Sequence, residues 1–313
     1  MKIIKPKKLC KGDLIGIISP ASCLDDLSIL NYGVQYLEKL GYRVEIGKNV
    51  GKVYGYLAGH DEERLEDIHY MFGKKEIKAI ICTRGGFGSS RILDKIDYRL
   101  IGKNPKIFIG YSDITALEMA FFHKVGLVTF AGPMIAVDFQ NGIDPFTEEF
   151  FWALLTSNKK IGRIIPSEDN KIFNLTKGLS NGRILGGNLS LITSLIGTDY
   201  LPNFKNSILF LEEIGELPYR IDRMLNQLRL AKILSRLNGV ILGAFSNCNE
   251  IDPSKKTLTL GEVISSYFSN LKIPVVYNFQ HGHIRESISI PFGIKVKLNA
   301  SKRYVEFEES AVI

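Results

Sequence analysis

The sequence predicts an α/β protein of two domains: an N-terminal α/β domain built on a mostly parallel sheet, and a second domain that follows a polar connection. Three observations support this prediction. The chain has 313 residues, of which 45% are hydrophobic, so it can bury a core large enough for two domains. Its first half alternates β-rich with amphipathic segments, and the pattern changes between residues 140 and 180. We expect the N-terminal domain at 1–155, the connection at 156–178 and the C-terminal domain at 179–313.

Four β-rich runs in the first half are each followed by an amphipathic stretch, and a fifth run closes the series. These runs are DLIGIIS, YRVEIG, KAIICTR, KIFIGYS and LVTFAG. Such alternation is typical of βα units that form a mostly parallel sheet. Ligand sites in these sheets lie beyond the carboxyl ends of the strands. We therefore expect the loops after Ser19, Arg84 and Gly110 to carry the chemistry.

The second half mixes strands with helices and shows no internal repeat. It follows a helix-like segment, PFTEEFFWALLTS, and a polar stretch without strong periodicity, NKKIGRIIPSEDNKIFNLTKG. The predicted strands include SILFLEE, GVILGAFS, IKVKLNA and RYVEFEE. The segment YRIDRMLNQLRLAKIL places apolar residues on one helical face, which predicts a helix docked on the core: Ile221, Met224, Leu225 and Leu228.

Composition and charge argue against several classes of protein. The first residues are basic, but their apolar run is short and is approached through Asp13, which is unlike a signal peptide, and no apolar run reaches the roughly 20 residues of a membrane span. The net charge of +7 is dispersed beside acidic residues, which does not favour nucleic acid as a partner. The four cysteines are scattered without the spacing of a metal site, and they are Cys10, Cys23, Cys82 and Cys248. We therefore expect no disulfides and no metal, and we expect a soluble cytoplasmic protein.

Ser112 directly follows a predicted strand and opens an amphipathic helix in KIFIGYSDITALEMAFF. This position would suit a nucleophile, because the N–H groups of a helix start stabilise negative charge. The neighbourhood of Ser112 taken alone is more typical of a helix N-cap, since Ile114 stands where the general nucleophile turn has a second glycine. The two roles are compatible, because a serine at a helix start already lies where developing charge is stabilised.

A glycine loop, Arg84-Gly85-Gly86-Phe87-Gly88, follows an earlier strand of the same sheet. Glycines let backbone N–H groups approach a ligand, although a tight structural turn explains them equally well. If this loop lies beside Ser112, the N–H groups of Gly86 and Asp113 are placed to bind an oxyanion. Arg84 would then be available for a substrate carboxylate.

A serine nucleophile needs a histidine base and a carboxylate that orients it. Among five histidines we favour His283, which enters a loop after the strand VVYNF, over its neighbour His281. The carboxylate is expected from Glu212 or Glu213 at the end of SILFLEE. Alternation along a strand sends these two acids to opposite sides, so only one of them faces the site.

Together these segments resemble the LD-carboxypeptidase family of serine peptidases, which includes the microcin-immunity hydrolases. The resemblance covers nearly the whole chain and rests on GDLIGIISPAS, RGGFGSSRIL, IGYSDITAL, RILGGNLSLI, ILFLEEIGELPYRIDRML and the late Gly-His. It implies a triad of Ser112, Glu212 and His283 and a largely β C-terminal domain with some helices. The oxyanion site at Gly86 and Asp113 completes the hypothetical mechanism. Arg84, Gly187 and Asn188 are weaker candidates for holding the substrate. Glu213 and Ala131 depart from residues common in the family, Asp and His respectively.

The resemblance further implies a homodimer that cleaves a muropeptide tetrapeptide between an L-centre diamino acid and D-Ala, without any cofactor. Three alternatives remain open. The first is an immunity-type hydrolase of peptidyl or aminoacyl nucleotides, which would need an aromatic platform that Trp152, in a predicted helix, does not suggest. The second is a non-catalytic two-domain protein that binds a small ligand. The third is a hydrolase that uses Cys82, although this cysteine sits in an apolar run.

Overall fold

The structure is a computed structural model that describes residues 2–140 and 142–313. Strands and helices are numbered along the chain. The strands are β1 (Leu14–Ile18), β2 (Arg43–Ile46), β3 (Ile77–Cys82), β4 (Ile107–Gly110), β5 (Thr129–Ala131), β6 (Gly162–Arg163), β7 (Phe173–Thr176), β8 (Leu179–Asn188), β9 (Ile208–Ile214), β10 (Gly239–Ser246), β11 (Val275–Tyr277), β12 (Ile290–Phe292), β13 (Lys295–Asn299) and β14 (Tyr304–Phe307).

The helices are α1 (Leu30–Lys39), α2 (Asp61–Gly73), α3 (Tyr98–Lys103), α4 (Thr115–Val125), α5 (Pro145–Thr156), α6 (Leu189–Ser194), α7 (Pro218–Leu230) and α8 (Leu260–Phe268). Short 3-10 helices also occur, at Leu27–Ile29, Ser89–Lys95, Ser112–Ile114 and Leu234–Arg236. The segment SSRILDKI, expected to be amphipathic, is therefore a 3-10 helix rather than an α-helix.

The N-terminal sheet has the strand order β12-β5-β4-β3-β1-β2. Strands β1 to β5 run parallel to one another, as the βα alternation predicted. Every residue of β1 and β4 is buried, and so is nearly all of β3. Burial on both faces of the sheet explains why these strands read as continuous apolar runs in the sequence. Their carboxyl ends carry the loops that were expected to matter.

The C-terminal sheet has eight strands in the order β6-β14-β13-β8-β9-β10-β11-β7. Its centre, β8 to β11, is parallel, and the flanking strands are antiparallel. Helix α7 buries Ile221, Leu225 and Leu228, while Met224 remains partly exposed, so the predicted apolar face is confirmed. The predicted combination of an α/β part and a mainly β part with helices is also confirmed.

Two features differ from the expected division of the chain. The segment 156–178, expected to be a connection, contains β6 and β7, which are the two edge strands of the C-terminal sheet. Both strands are at most four residues long and largely solvent-accessible, so they carry no apolar period that the sequence could reveal. In addition, β12 from the C-terminal half pairs antiparallel with β5 and completes the N-terminal sheet. The two halves are therefore interlocked.

Candidate active site

The turn after β4 places Ser112 in a strained backbone conformation. Its φ is +62°, a left-handed value that is uncommon outside glycine. Strain of this kind clusters at functional sites, and a nucleophile turn between strand and helix is a known example. The residue before the 3-10 helix is Tyr111, and no side chain caps this helix start in the described residues. The expectation that Ser112 acts as an N-cap is therefore wrong, because Ser112 is the first helical residue.

The glycine loop packs directly on this turn, which is the condition that the oxyanion hypothesis required. A Cβ at Gly85 would lie 2.9 Å from the Cβ of Ser112 and 3.2 Å from the Asp113 nitrogen, so only glycine fits. Gly86 has a φ of +108°, and within the described chain its N–H donates to no acceptor. The N–H groups of a first helical turn also lack intrahelical acceptors, which applies to Asp113. The loop and the turn thus offer two neighbouring backbone donors.

Two buried charged side chains hold the loop in place. The carboxylate of Asp113 accepts a hydrogen bond from the Ser89 N–H (2.8 Å). Burial raises the pKa of Asp113, while its hydrogen bonds to the loop oppose that rise. Arg64, which is 1% exposed, donates to the carbonyls of Gly88 (2.8 Å) and Pro20 (2.6 Å). Arg64 was not singled out in the sequence; the only signal for it was its position in the acidic segment HDEERLED.

His283 and Glu212 form a buried contact on the C-terminal side of the site. Nδ1 of His283 lies 2.7 Å from Oε2 of Glu212, whose side chain is 2% exposed. An ionised carboxylate can only accept, so Nδ1 donates and Nε2 is left as the acceptor. Burial alone would lower the pKa of His283, but the bond to Glu212 and the nearby carboxylates outweigh it and raise that pKa. This is the arrangement of a histidine base oriented by an acid.

Glu213 points away from this contact, as strand alternation requires. Its carboxylate accepts hydrogen bonds from the Asn188 side chain (2.8 Å) and from Ser190, through both N–H (2.9 Å) and hydroxyl (2.7 Å). Burial raises the pKa of Glu213, and these bonds oppose the rise. Glu213 therefore anchors the start of α6, whereas Glu212 faces the histidine.

Gly187 and Asn188, which were predicted to contact the substrate, make contacts within the protein. A Cβ at Gly187 would lie 2.5 Å from the Thr115 side chain, so this turn packs on the first turn of α4. The Asn188 side chain bonds Glu213 and also caps α6 at Leu191 N, and its own N–H donates to Thr115 Oγ1 (3.1 Å). Both ends of the Asn188 amide are engaged within the protein, so direct substrate binding by Gly187 and Asn188 stays a prediction.

Arg84 is partly exposed beside the glycine loop. Its guanidinium donates to the Cys23 carbonyl (3.3 Å), and within residues 2–140 and 142–313 it has no ion-pair partner. This environment leaves most of its donors available for a carboxylate. Its role in substrate binding also remains a prediction.

Tyr111 joins the two sides of the site. It directly precedes Ser112, and its ring lies 5.1 Å from the ring of His283, edge to face. The turn with Ser112 and the His283–Glu212 pair therefore meet between the two halves of the chain. Among the described residues no hydrogen bond joins the Ser112 hydroxyl to His283, and such bonds commonly tighten only when substrate is bound.

A cavity of about 490 Å³ opens beside His283. Its wall includes Tyr111, Asp138, Asp144, Ile214, His283 and Arg285. Asp138 and Arg285 were not identified from the sequence. The signal for Asp138 was an acid placed inside the apolar run PMIAVDF that follows β5. Ala131 lies within β5 and does not contribute to this wall, so its departure from the family pattern is remote from the cavity.

Two residues from the open alternatives lie away from this chemistry, one of them buried and the other partly buried. Cys82 has no exposed surface, and burial raises the pKa of its thiol well above the ordinary value, which disfavours the thiolate. Trp152 stacks on Tyr42 with ring centroids 5.2 Å apart, and its indole donates to the Tyr36 hydroxyl (2.7 Å). Neither residue is presented to the cavity beside His283.

The comparisons with known proteins define the class. Residues 15–132 match the LD-carboxypeptidase N-terminal domain, and residues 181–298 match the LD-carboxypeptidase C-terminal domain. The chain belongs to the LD-carboxypeptidase family of serine carboxypeptidases. It is 40% identical to the probable murein peptide carboxypeptidase of Bacillus subtilis (strain 168) over 305 residues, which is 97% of this chain and 94% of the relative.

Two solved structures share the fold over nearly the whole chain. One is the microcin C7 self-immunity protein MccF in complex with adenosine monophosphate, at a TM-score of 0.91 and 27% identity, covering 99% of this chain and 100% of that one. The other is the muramoyltetrapeptide carboxypeptidase from Oxalobacter formigenes, at a TM-score of 0.82 and 31% identity, covering 94% and 97%. The structures that share this fold therefore include both a microcin self-immunity protein and a muramoyltetrapeptide carboxypeptidase.

Across residues 2–140 and 142–313, no three His, Cys, Asp or Glu side chains are grouped so that they could hold a metal ion. In the same residues, no helix has the length and apolar character needed to cross a membrane.

Proposed function

We propose that this protein is an LD-carboxypeptidase that hydrolyses the bond between an L-centre diamino acid and a terminal D-Ala in muropeptide tetrapeptides. The observation that carries the proposal is the 2.7 Å contact between His283 and Glu212, which lies across Tyr111 from the strained Ser112 turn. The substrate follows from the relatives, of which one is named a probable murein peptide carboxypeptidase and another a murein tetrapeptide carboxypeptidase.

The proposed reaction begins when Ser112 Oγ attacks the carbonyl carbon of the diamino acid. Nε2 of His283 takes the serine proton, while Glu212 stabilises the imidazolium that forms. The negative charge on the carbonyl oxygen is bound by the N–H groups of Gly86 and Asp113. The C–N bond then breaks, and the departing D-Ala amine receives the proton from His283.

The second half of the reaction regenerates the enzyme. Water attacks the ester between Ser112 and the tripeptide, again giving a proton to His283. The ester C–O bond breaks, Ser112 recovers its proton, and the tripeptide leaves with a free carboxylate. No step requires a metal or an organic cofactor. The family resemblance also supports a cytoplasmic homodimer. Sedimentation analysis of the purified chain would test the dimer, and fractionation of cells that produce the protein would test its location.

The central test is cleavage of a tetrapeptide with a terminal D-Ala, followed by mass spectrometric detection of the tripeptide and D-Ala. We expect Ser112→Ala and His283→Ala to lose at least about 10³-fold in kcat, because members of a triad act as a unit. Cys82→Ala is the matched control and should keep wild-type turnover. Undiminished cleavage by Ser112→Ala would contradict the proposal, and binding without turnover in the wild type would favour a non-catalytic ligand-binding protein.

One observation favours a second candidate, an immunity-type hydrolase of peptidyl or aminoacyl nucleotides. Exposed rings of Tyr56 and Phe87 lie beside the glycine loop with centroids 5.7 Å apart, and aromatic faces of this kind can stack on a nucleobase. An aminoacyl sulfamoyl nucleotide offered beside the tetrapeptide separates the two functions. Faster turnover of the nucleotide would replace the carboxypeptidase proposal with the immunity-type one.

A further inference from the structure

The cavity beside His283 contains the carboxylate of Asp138, which faces the imidazole and has no lysine or arginine partner in the described residues. Oδ2 of Asp138 accepts the Met134 N–H (2.8 Å), and Oδ1 lies 3.4 Å from the Tyr111 hydroxyl. In the described parts of the chain, no lysine or arginine forms an ion pair with Asp138. Burial raises the pKa of Asp138 to about 6, although the Met134 N–H, the Tyr111 hydroxyl and His283 oppose that rise. A partly buried anion of this kind is stabilised by a cation from outside.

The position of Asp138 relative to the proposed reacting bond is set by Tyr111. This tyrosine directly precedes Ser112, contacts His283 with its ring and reaches Asp138 with its hydroxyl. Asp138 thus lies about one tyrosine side chain away from the nucleophile turn. An extended lysine or diaminopimelate side chain has a similar reach. An acyl group held at Ser112 can therefore bring its side-chain ammonium to Asp138.

The outer wall of the cavity contains Arg285, whose exposed guanidinium lies near a carboxylate. The Arg285 guanidinium is 83% exposed, and its Nε lies 3.6 Å from Oδ2 of Asp144, the N-cap residue of α5. The backbone of the same loop is fixed to α5, because Thr147 Oγ1 donates to the Arg285 carbonyl (3.0 Å). A guanidinium has five N–H donors, so Arg285 retains donors for a second carboxylate.

We propose that this cavity binds the side chain of the diamino acid, with Asp138 contacting its ammonium and Arg285 contacting the carboxylate that distinguishes diaminopimelate from lysine. The inference rests on the proposed carboxypeptidase function. It assigns selectivity among diamino acids to two loops, the one after β5 and the one after β11. Asp138 acts on the substrate and Arg285 adds a contact that only diaminopimelate can use.

The test compares three tetrapeptides that end in D-Ala and carry diaminopimelate, lysine or norleucine at the third position. Norleucine has the four side-chain carbons of lysine but no ammonium. We expect Asp138→Asn to lower kcat/KM about 10- to 100-fold for the first two peptides and to leave the norleucine peptide unchanged, because a charge-assisted bond is lost. Arg285→Gln should lower kcat/KM for the diaminopimelate peptide alone, while Arg229→Gln, an exposed arginine on α7, serves as control.

The outcomes distinguish an error in the proposed subsite from an error in the proposed function. If the wild type cleaves none of the three peptides, the proposed function is wrong. If the wild type cleaves them and Asp138→Asn slows all three equally, Asp138 only positions Tyr111 and His283, and the subsite is wrong. Arg285 is exposed, so Arg285→Gln tests the same cavity even if Asp138→Asn fails to fold. Equal loss by Arg285→Gln on the lysine and diaminopimelate peptides would also overturn the assignment.

Discussion

At the scale of single residues, the two adjacent glutamates show that the role of a buried acid depends on the side chains it contacts. Glu212 and Glu213 are both nearly fully buried at the end of β9. One contacts an imidazole, and the other holds the start of α6 through Asn188 and Ser190. Sequence alternation predicted that they diverge, but it could not show which one meets the histidine, because that depends on where the loop after β11 returns.

Replacing each acid by glutamine should therefore affect different properties, namely kcat for Glu212 and stability for Glu213. Glu212→Gln removes the acceptor that sets the His283 tautomer, so we expect kcat to fall by about 10² to 10⁴ with little change in stability. Glu213→Gln weakens charge-assisted bonds to α6 and should cost about 1 to 3 kcal/mol in the free energy of unfolding, with a much smaller effect on kcat. Peptide turnover and urea unfolding of both variants check this. Equal losses of kcat would leave the assignment of Glu212 unsupported.

His281 provides a pH-dependent term in stability. It is fully buried, its Nδ1 lies 2.7 Å from the Ile288 carbonyl, and burial lowers its pKa to about 4 from 6.5. Between these values the unfolded chain binds a proton that the folded chain does not. The contribution of neutral His281 to the free energy of unfolding is therefore fully present above pH 6.5, and it is lost as the pH falls toward about 4.

We expect this residue to account for about 3 kcal/mol of the acid destabilisation, at 1.36 kcal/mol per unit of pKa. His281→Asn keeps a donor for the Ile288 carbonyl but cannot take up the proton. Urea unfolding of the wild type and of His281→Asn across this pH range should give a flatter profile for the variant. Parallel profiles would show that His281 does not titrate on unfolding.

At the scale of elements, the site is built from loops that follow strands. The sequence predicted the order of these strands and loops along the chain, but it did not predict which loops contact one another. The strand before Ser112, the strand before the glycine loop and β9 were all foreseen from apolar runs and their ends. Asp138 was missed because it lies in an irregular segment after β5, where no periodicity exists to orient a side chain. Arg64 was missed because a charged helix position reads as solvent-exposed unless the packing of the neighbouring loop is known.

The close approach of the glycine loop to the Ser112 turn gives an element-scale prediction. Gly85→Ala would place a methyl group 2.9 Å from the Ser112 Cβ and 3.1 Å from its hydroxyl oxygen, so loop or turn must shift. We expect kcat/KM to fall at least about 10-fold, because small displacements of a nucleophile are costly. Gly261→Ala on α8 meets no atom within 4 Å and should leave activity intact and slightly raise helix stability. Wild-type kinetics in Gly85→Ala would contradict this packing.

At the scale of the whole molecule, the sequence indicated two domains but not how they are joined. The alternation of βα units identified the parallel sheet, and the second half was correctly expected to be rich in strands. The three-residue strand β12 carried no signal of its own, and only the fold shows that it pairs with β5 across the division. The nearby contact of Asn188 N–H with Thr115 Oγ1 joins the halves a second time, three residues beyond Ser112.

This interlocking predicts that the chain unfolds as one unit. A fragment of residues 1–155 lacks β12, so it would expose the edge of β5 and the apolar residues that β12 covers. We expect the fragment to be unfolded or aggregated when produced alone, and the full chain to show a single calorimetric transition whose van't Hoff and calorimetric enthalpies agree. Circular dichroism measures whether the fragment is folded, and calorimetry measures the number of unfolding transitions of the full chain. A cooperatively folded fragment, or two separated transitions in the full chain, would show that the halves are independent domains and that the β5–β12 pairing contributes little to stability.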